Sequence, residues 1–339
     1  MSEPASFDED QNLGRRGGPV AWLEAQAVGL LLGGVGRLPR GLQRALLGGL
    51  SRVALRLDRR HTEAARDYLR TALGPEAARD DGLIRGSYRH LFQLAVDSAA
   101  FPRRIPDARL LEHFELRLSP EVREAFAGEG GGIVVTPHSG DWEAGAAAMA
   151  KLVNGPLYAL AKPPKNRYLA RQLLRAREER GVRVMPRRGG MGQAGSILSS
   201  GGWIAMLLDQ RPRGKSVVAP FFGRPVPCER SAAVLMRRLG VPVVFGSCFL
   251  LEEPFRYEMR FERLLTAEEA SRLSLAQLVE RINAEQERLI LAAPEQYFWL
   301  HDRYRDAPAA PEGGSDGEAR ESASPEAGGR GSSAEQERP

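Results

Sequence analysis

From about residue 132 onward, short β-branched runs alternate with segments in which apolar residues return every three to four positions. The runs at 133–136, 157–161, 182–185, 203–208, 241–249 and 255–261 predict strands. Helical periodicity at 143–152, 167–180, 193–199, 231–239 and 275–291 predicts helices between them. This rhythm predicts an α/β fold, a largely parallel mixed sheet flanked by helices on both faces. Chemistry in such sheets gathers beyond the carboxyl ends of strands.

The first 130 residues follow a different pattern. Residues 19–60 are apolar but broken by Glu24, Gln26, Pro39 and several glycines, with Arg37, Arg40, Arg44, Arg52, Arg56, Arg59 and Arg60 beside the apolar positions. The apolar stretch at 27–36 is too short to cross a hydrocarbon layer of about 30 Å. The pattern predicts a membrane-proximal helical region lying in the interface. Helices continue over 62–74 and 79–101. Residues 1–18 lack the basic-then-apolar pattern of a secretory signal and predict an unstructured leader. Residues 306–339 mix Pro, Gly, Ser, Glu and Ala without one aromatic or branched apolar residue, which predicts a disordered acidic tail. The expected division is therefore 1–18, 19–60, an α/β domain over 61–305, and 306–339.

Composition narrows the class further. With 339 residues, 42% of them hydrophobic, the chain is long enough for a large core. A mean hydropathy of −0.34 argues against a multi-span membrane protein. The two cysteines, Cys228 and Cys248, cannot build a disulfide framework or a Cys-based zinc site, and they suit a reducing compartment. The net charge of +5 is uneven: residues 1–10 carry −4 and residues 306–339 carry −5, so 11–305 carry +14. All but four of the 48 basic residues are arginines, whose planar fork matches phosphate. Ten of the basic residues fall in 162–188 against two glutamates, which predicts an anion-facing surface. Nucleic acid is disfavoured, because no recognisable module or interleaved aromatics accompany the charge.

Four features could carry chemistry. His138 closes the first run and precedes a helix, with Asp141 and Glu143 near enough to hold an imidazole that takes a proton from a hydroxyl. His301 with Asp306 repeats the spacing but leads into the tail. Gly190, Gly192 and Gly195 form GxGxxG after a strand, with Asp209 placed where a ribose-binding acid would sit, so an NAD(P)-dependent oxidoreductase is a competing reading. A nucleophile-elbow pattern at 313–317 lies in the tail, and the two cysteines, one in a turn and one in a strand, have no activating partner. A non-enzymatic module binding anionic lipid through its arginines is the third reading.

Residues 133–305 as a set resemble the bacterial lipid A biosynthesis acyltransferases, the late lauroyl and myristoyl transferases of the lysophospholipid acyltransferase superfamily. The likeness rests on His138-Ser139-Gly140-Asp141-Trp142-Glu143, Lys162-Pro163-Pro164-Lys165-Asn166, Leu208-Asp209-Gln210, Pro220-Phe221-Phe222-Gly223, and the block from Pro294 to His301, in the family's order. Asp141 stands where Asn is usual, and Cys228-Glu229-Arg230-Ser231 lacks an expected Gly. The resemblance implies a glycerol-3-phosphate acyltransferase-like fold with His138 as general base and Glu143 as its partner. It implies transfer from acyl carrier protein or acyl-CoA to a glycolipid or phospholipid hydroxyl, with no acyl-enzyme intermediate and no cofactor or metal. It also implies work at the membrane surface, on the cytoplasmic face of the bacterial inner membrane. Lys162, Lys165, Arg167 and Arg188 are expected to contact substrate phosphate. Asp141, Asp209 and Gln210 are expected to contact substrate as well, with donors near Gly140 or in the Asp209-Gln210 turn stabilising the oxyanion.

Overall fold

Residues 14–161, 163–186 and 190–307 are described by the computed structural model. Among them, one sheet takes β1 (Phe114–Leu118), β2 (Gly132–Thr136), β3 (Leu157–Ala161), β4 (Val182–Pro186), β5 (Trp203–Leu207), β8 (Val243–Leu250) and β9 (Tyr257–Leu265). Their order is β1-β9-β8-β2-β5-β3-β4, parallel throughout except where β8 meets β9. The largely parallel mixed sheet expected from the alternation is therefore present. The remaining strands, β6 (Ser216–Phe221) and β7 (Arg224–Glu229), pair as a separate antiparallel hairpin.

Central strands are buried on both faces, which is why they read as unbroken apolar runs. Ile133 and Val135 of β2 join one core with Ile204, Met206, Val243 and Phe245. Val134, pointing the other way, joins a second core with Trp203, Val244, Met259 and Phe261. Onto the first core pack α3 (Arg59–Leu73), α9 (Gly190–Ser199), α10 (Ser231–Leu239), α11 (Ala267–Ser271) and α12 (Leu275–Ala292). The second is covered by α6 (Pro120–Ala127) and α7 (Trp142–Leu152).

Before the sheet come α1 (Gly18–Val35), α2 (Arg40–Leu57), α4 (Pro75–Arg79) and α5 (Asp81–Arg104). Helix α1 has the length and apolarity to cross a membrane and buries only Ala21 and Ala25. It exposes Val20, Trp22, Leu23, Leu30 and Leu31, while α2 exposes Leu42, Leu46, Leu50, Val53 and Leu57. Residues 14–17 are not the free leader expected of them. Arg16 bridges to Asn166, its N–H bonding to the Lys165 carbonyl at 3.0 Å, just before α8 (Arg167–Glu178).

Strands β1, β6 and β7 have no counterpart in the sequence reading, which also put Cys228 in a turn rather than in β7. Pro220, Pro225 and Pro227 argue against strands, yet an isolated two-stranded ribbon has outer edges that need no N–H. Its turn uses Phe222 at φ +49° and Gly223 at φ +74°, the backbone twist that two-residue hairpins favour. The tail from 308 on, with the 313–317 pattern, lies outside the described residues.

Candidate active site

Strands β2 and β5 run parallel with Thr136 opposite Leu207. Two residues past each end stand His138 and Asp209, 71 positions apart in sequence. Asp209 Oδ1 accepts from His138 Nδ1 at 2.7 Å, and Oδ2 accepts the His138 backbone N–H at 3.1 Å. Tyr297 donates its hydroxyl to Oδ2 at 2.9 Å and meets the Tyr68 hydroxyl at 2.7 Å. Burial opposes the charge on Asp209, but His138 and these hydrogen bonds win, holding the carboxyl below its ordinary value. Because Nδ1 is occupied by a carboxylate, the neutral ring carries its proton there and leaves the Nε2 lone pair free. Asp209, expected to serve substrate, instead orients the imidazole from behind.

Residues 294–301 build the other wall of the turn. Phe298 N–H donates to the His138 carbonyl and Gly140 N–H donates to the Gln296 carbonyl, both at 3.0 Å. Asp141 N–H reaches the Cys248 carbonyl at 2.7 Å, and His90 Nε2–H donates to the Gly140 carbonyl at 2.9 Å. The Gly140 amide is thus unavailable for the oxyanion role considered for it. His301 is also part of this frame: its Nε2 accepts the Arg211 N–H at 3.0 Å, and burial drives its pKa down to about 4, so it stays neutral.

Glu143 does not touch the imidazole. It forms a fork with Arg177 of α8, Nη2 to Oε1 at 2.6 Å and Nε to Oε2 at 2.9 Å. Both line the cavity that His138 enters, about 390 Å³ in volume. Gln210, Arg211 and Arg213, beyond the end of β5, give it polar lining, and Val134, Ala146, Met149, Ala159 and Phe261 give it apolar lining. Gly145 gives α7 its close approach there, since a Cβ would come within 2.7 Å of Cys248 Cβ.

The basic segment does not act as one surface. Arg180 is buried, donating to the Ile105 carbonyl at 2.8 Å, and Arg183 donates to the Tyr158 hydroxyl at 3.0 Å. Arg167 opens α8 beside Gly17, and neither it nor Lys165 lines the cavity. Lys162 and Arg188 lie outside the described residues. The glycine-rich run, a phosphate-binding turn in the competing oxidoreductase reading, opens α9 as helix from Gly190 onward, so its glycines do not make the tight turn that motif needs.

Asp141 is the N-cap of α7, accepting the Ala144 N–H at 2.9 Å. Burial, with Glu143 and Asp97 adding negative charge against that hydrogen bond, pushes its pKa up to about 7. Unfolded, it titrates near 3.9. Between those values the native state holds the extra proton, so this group's contribution to stability falls as pH rises and levels off above 7. Asn caps as well without the charge. Melting curves of Asp141→Asn should therefore be flatter than those of the natural chain between pH 4 and 7, and higher at pH 8; parallel curves would refute the assignment.

Sequence reasoning missed Tyr297 and His90 and met Arg177 only as one of the basic residues of 162–188. Tyr297 also had a signal, its place in an unusual aromatic block; His90 had none.

An imidazole backed by a buried carboxylate, at the strand ends of a parallel sheet and open to a cavity with apolar lining, has the chemistry to take a proton from a hydroxyl beside a hydrocarbon chain. The chain belongs to the bacterial lipid A biosynthesis acyltransferases, whose family model matches residues 17–306. It is an acyltransferase of lipid A biosynthesis, in a family that works in association with membranes. No curated protein matches it.

Proposed function

We propose that the chain moves a fatty acyl group from a thioester on acyl carrier protein or coenzyme A to a hydroxyl of a lipid A precursor or related glycolipid. The observation that carries this reading is the free Nε2 of His138 in a cavity lined by both polar and apolar side chains. As the acceptor oxygen attacks the thioester carbonyl, Nε2 takes its proton. Asp209 stabilises the resulting imidazolium. Collapse of the tetrahedral adduct breaks the C–S bond, and the imidazolium returns its proton to the departing sulfur. Arg177, clamped by Glu143, and the Gln210 side chain supply donors for the developing oxyanion. In this reading Glu143 is a positioning residue and Asp209 the partner of the base.

The exposed apolar residues of α1 and α2 hold the active site at the cytoplasmic membrane face. Removing residues 19–60 would uncover the face of α5 on which α2 packs, so point changes test this better. Leu23→Glu, Leu30→Glu, Leu46→Glu and Leu50→Glu combined should move the folded protein from the membrane fraction to the soluble one. Unchanged partitioning would place the anchor elsewhere.

For the activity itself, purified enzyme is incubated with a lipid A precursor and either acyl donor, and the products are weighed by mass spectrometry. One added acyl ester is expected, and Asp141→Asn should retain it. No product with either donor, or tight NAD(P)H binding abolished by changing Gly192, would overturn the proposal.

A further inference from the structure

A second cavity, of about 500 Å³, lies outside the His138 site, between α2, α5, the turn after β8 and the Pro294–Gln296 turn. Apart from the Arg40–Asp97 pair, its lining separates by charge. The helices contribute Arg44 and Arg89, with neutral His90 beside them, while the turns contribute Glu252, Glu253 and Glu295. Arg40 is committed to Asp97, 2% exposed, at 3.1 Å. Among the described residues the side chains of Arg89, Glu252, Glu253 and Glu295 make no hydrogen bond or ion pair, and Arg44 reaches only the Glu252 carbonyl at 3.3 Å. These residues are exposed, so the cavity opens to the surface.

Unpaired charges of both signs around one space favour a ligand that carries both. A simple anion would meet three carboxylates, and a simple cation two guanidinium groups. Helix α2, which lines the cavity with Arg40, Arg44 and Leu47, exposes Leu42, Leu46, Leu50 and Val53 along its neighbouring face. Guanidinium groups beside an apolar stripe sit at the depth where a bilayer places its phosphates.

We propose that this cavity binds the headgroup of a zwitterionic phospholipid bearing a primary ammonium, a phosphoethanolamine lipid. Arg44 and Arg89 take the phosphate oxygens. Glu252, Glu253 and Glu295 accept from the ammonium, which, unlike a quaternary choline, has N–H groups to give. His90 and Gln296 line this cavity and also hold the turn after β2 through Gly140, so the site adjoins the chemistry, while Arg44, Arg89, Glu252 and Glu253 take no part in that frame.

The test needs no acyl transfer, so it stands or falls apart from the proposed reaction. Full-length protein is floated with phosphatidylcholine vesicles with and without phosphatidylethanolamine, and free glycerophosphoethanolamine is titrated separately. Phosphatidylethanolamine should raise recruitment several-fold. Arg89→Gln, and Glu252→Gln combined with Glu253→Gln, should each abolish that increment while leaving recruitment to phosphatidylcholine alone unchanged. Equal recruitment to both vesicle types, or an increment that survives either variant, overturns the site. Binding of the free headgroup without any vesicle preference would assign the cavity to a soluble ligand and overturn the lipid occupant.

Discussion

His138→Ala is expected to lower the acyl-transfer rate by about 10² to 10⁴ while leaving the melting temperature nearly unchanged. The side chain is 21% exposed and enters an open cavity, so its removal unpacks little. Asp209→Asn should cost nearly as much, for a different reason. An amide in place of the carboxylate no longer holds the proton on Nδ1 or compensates the imidazolium, and the ring turns or changes tautomer. Tyr297→Phe removes one hydrogen bond to that charged carboxylate, worth about 1.5–3 kcal/mol, and should produce a milder loss. Glu143→Gln, which leaves the imidazole's support intact and only loosens Arg177, should fall between these variants. Initial rates with circular dichroism melts check the order. If Glu143→Gln abolished transfer while Asp209→Asn spared it, the base would have the other partner.

The second large effect is expected at Gly140. Its φ of +64° lies where a side chain strains the backbone, and a Cβ would stand 1.9 Å from the Cys248 carbonyl oxygen. Gly140→Ala must therefore displace the turn from β8, breaking the Asp141 to Cys248 and Gly140 to Gln296 bonds that aim His138. Strain of about 1–3 kcal/mol and added overpacking should lower the melting temperature by several degrees, with loss of activity even at temperatures where the variant is folded. Ser139→Ala keeps the turn's backbone and serves as the control. Full activity in Gly140→Ala would show that the turn tolerates displacement and that its geometry is not what positions the base.

Local chemistry made much of this protein legible without coordinates. The alternation of β-branched runs with amphipathic segments determined the parallel sheet, because strands buried on both faces must be apolar throughout. His138 was found by its place between such a run and a helix, and the family by motif blocks in order. Position along the chain left Asp141 and Glu143 both open as partner, and the family's motif pointed to Glu143. The tertiary structure decided otherwise. Asp209 reaches His138 because β5 lies beside β2 while β3 and β4, which intervene in sequence, are placed beyond it. Likewise Arg177 claims Glu143 from another helix, and His90 and Tyr297 support the turn from opposite ends of the chain. Periodicity reports which face of each element is buried, and therefore that a sheet forms. Strand order and side-chain pairing depend on how those buried faces pack against one another, and no local pattern encodes that.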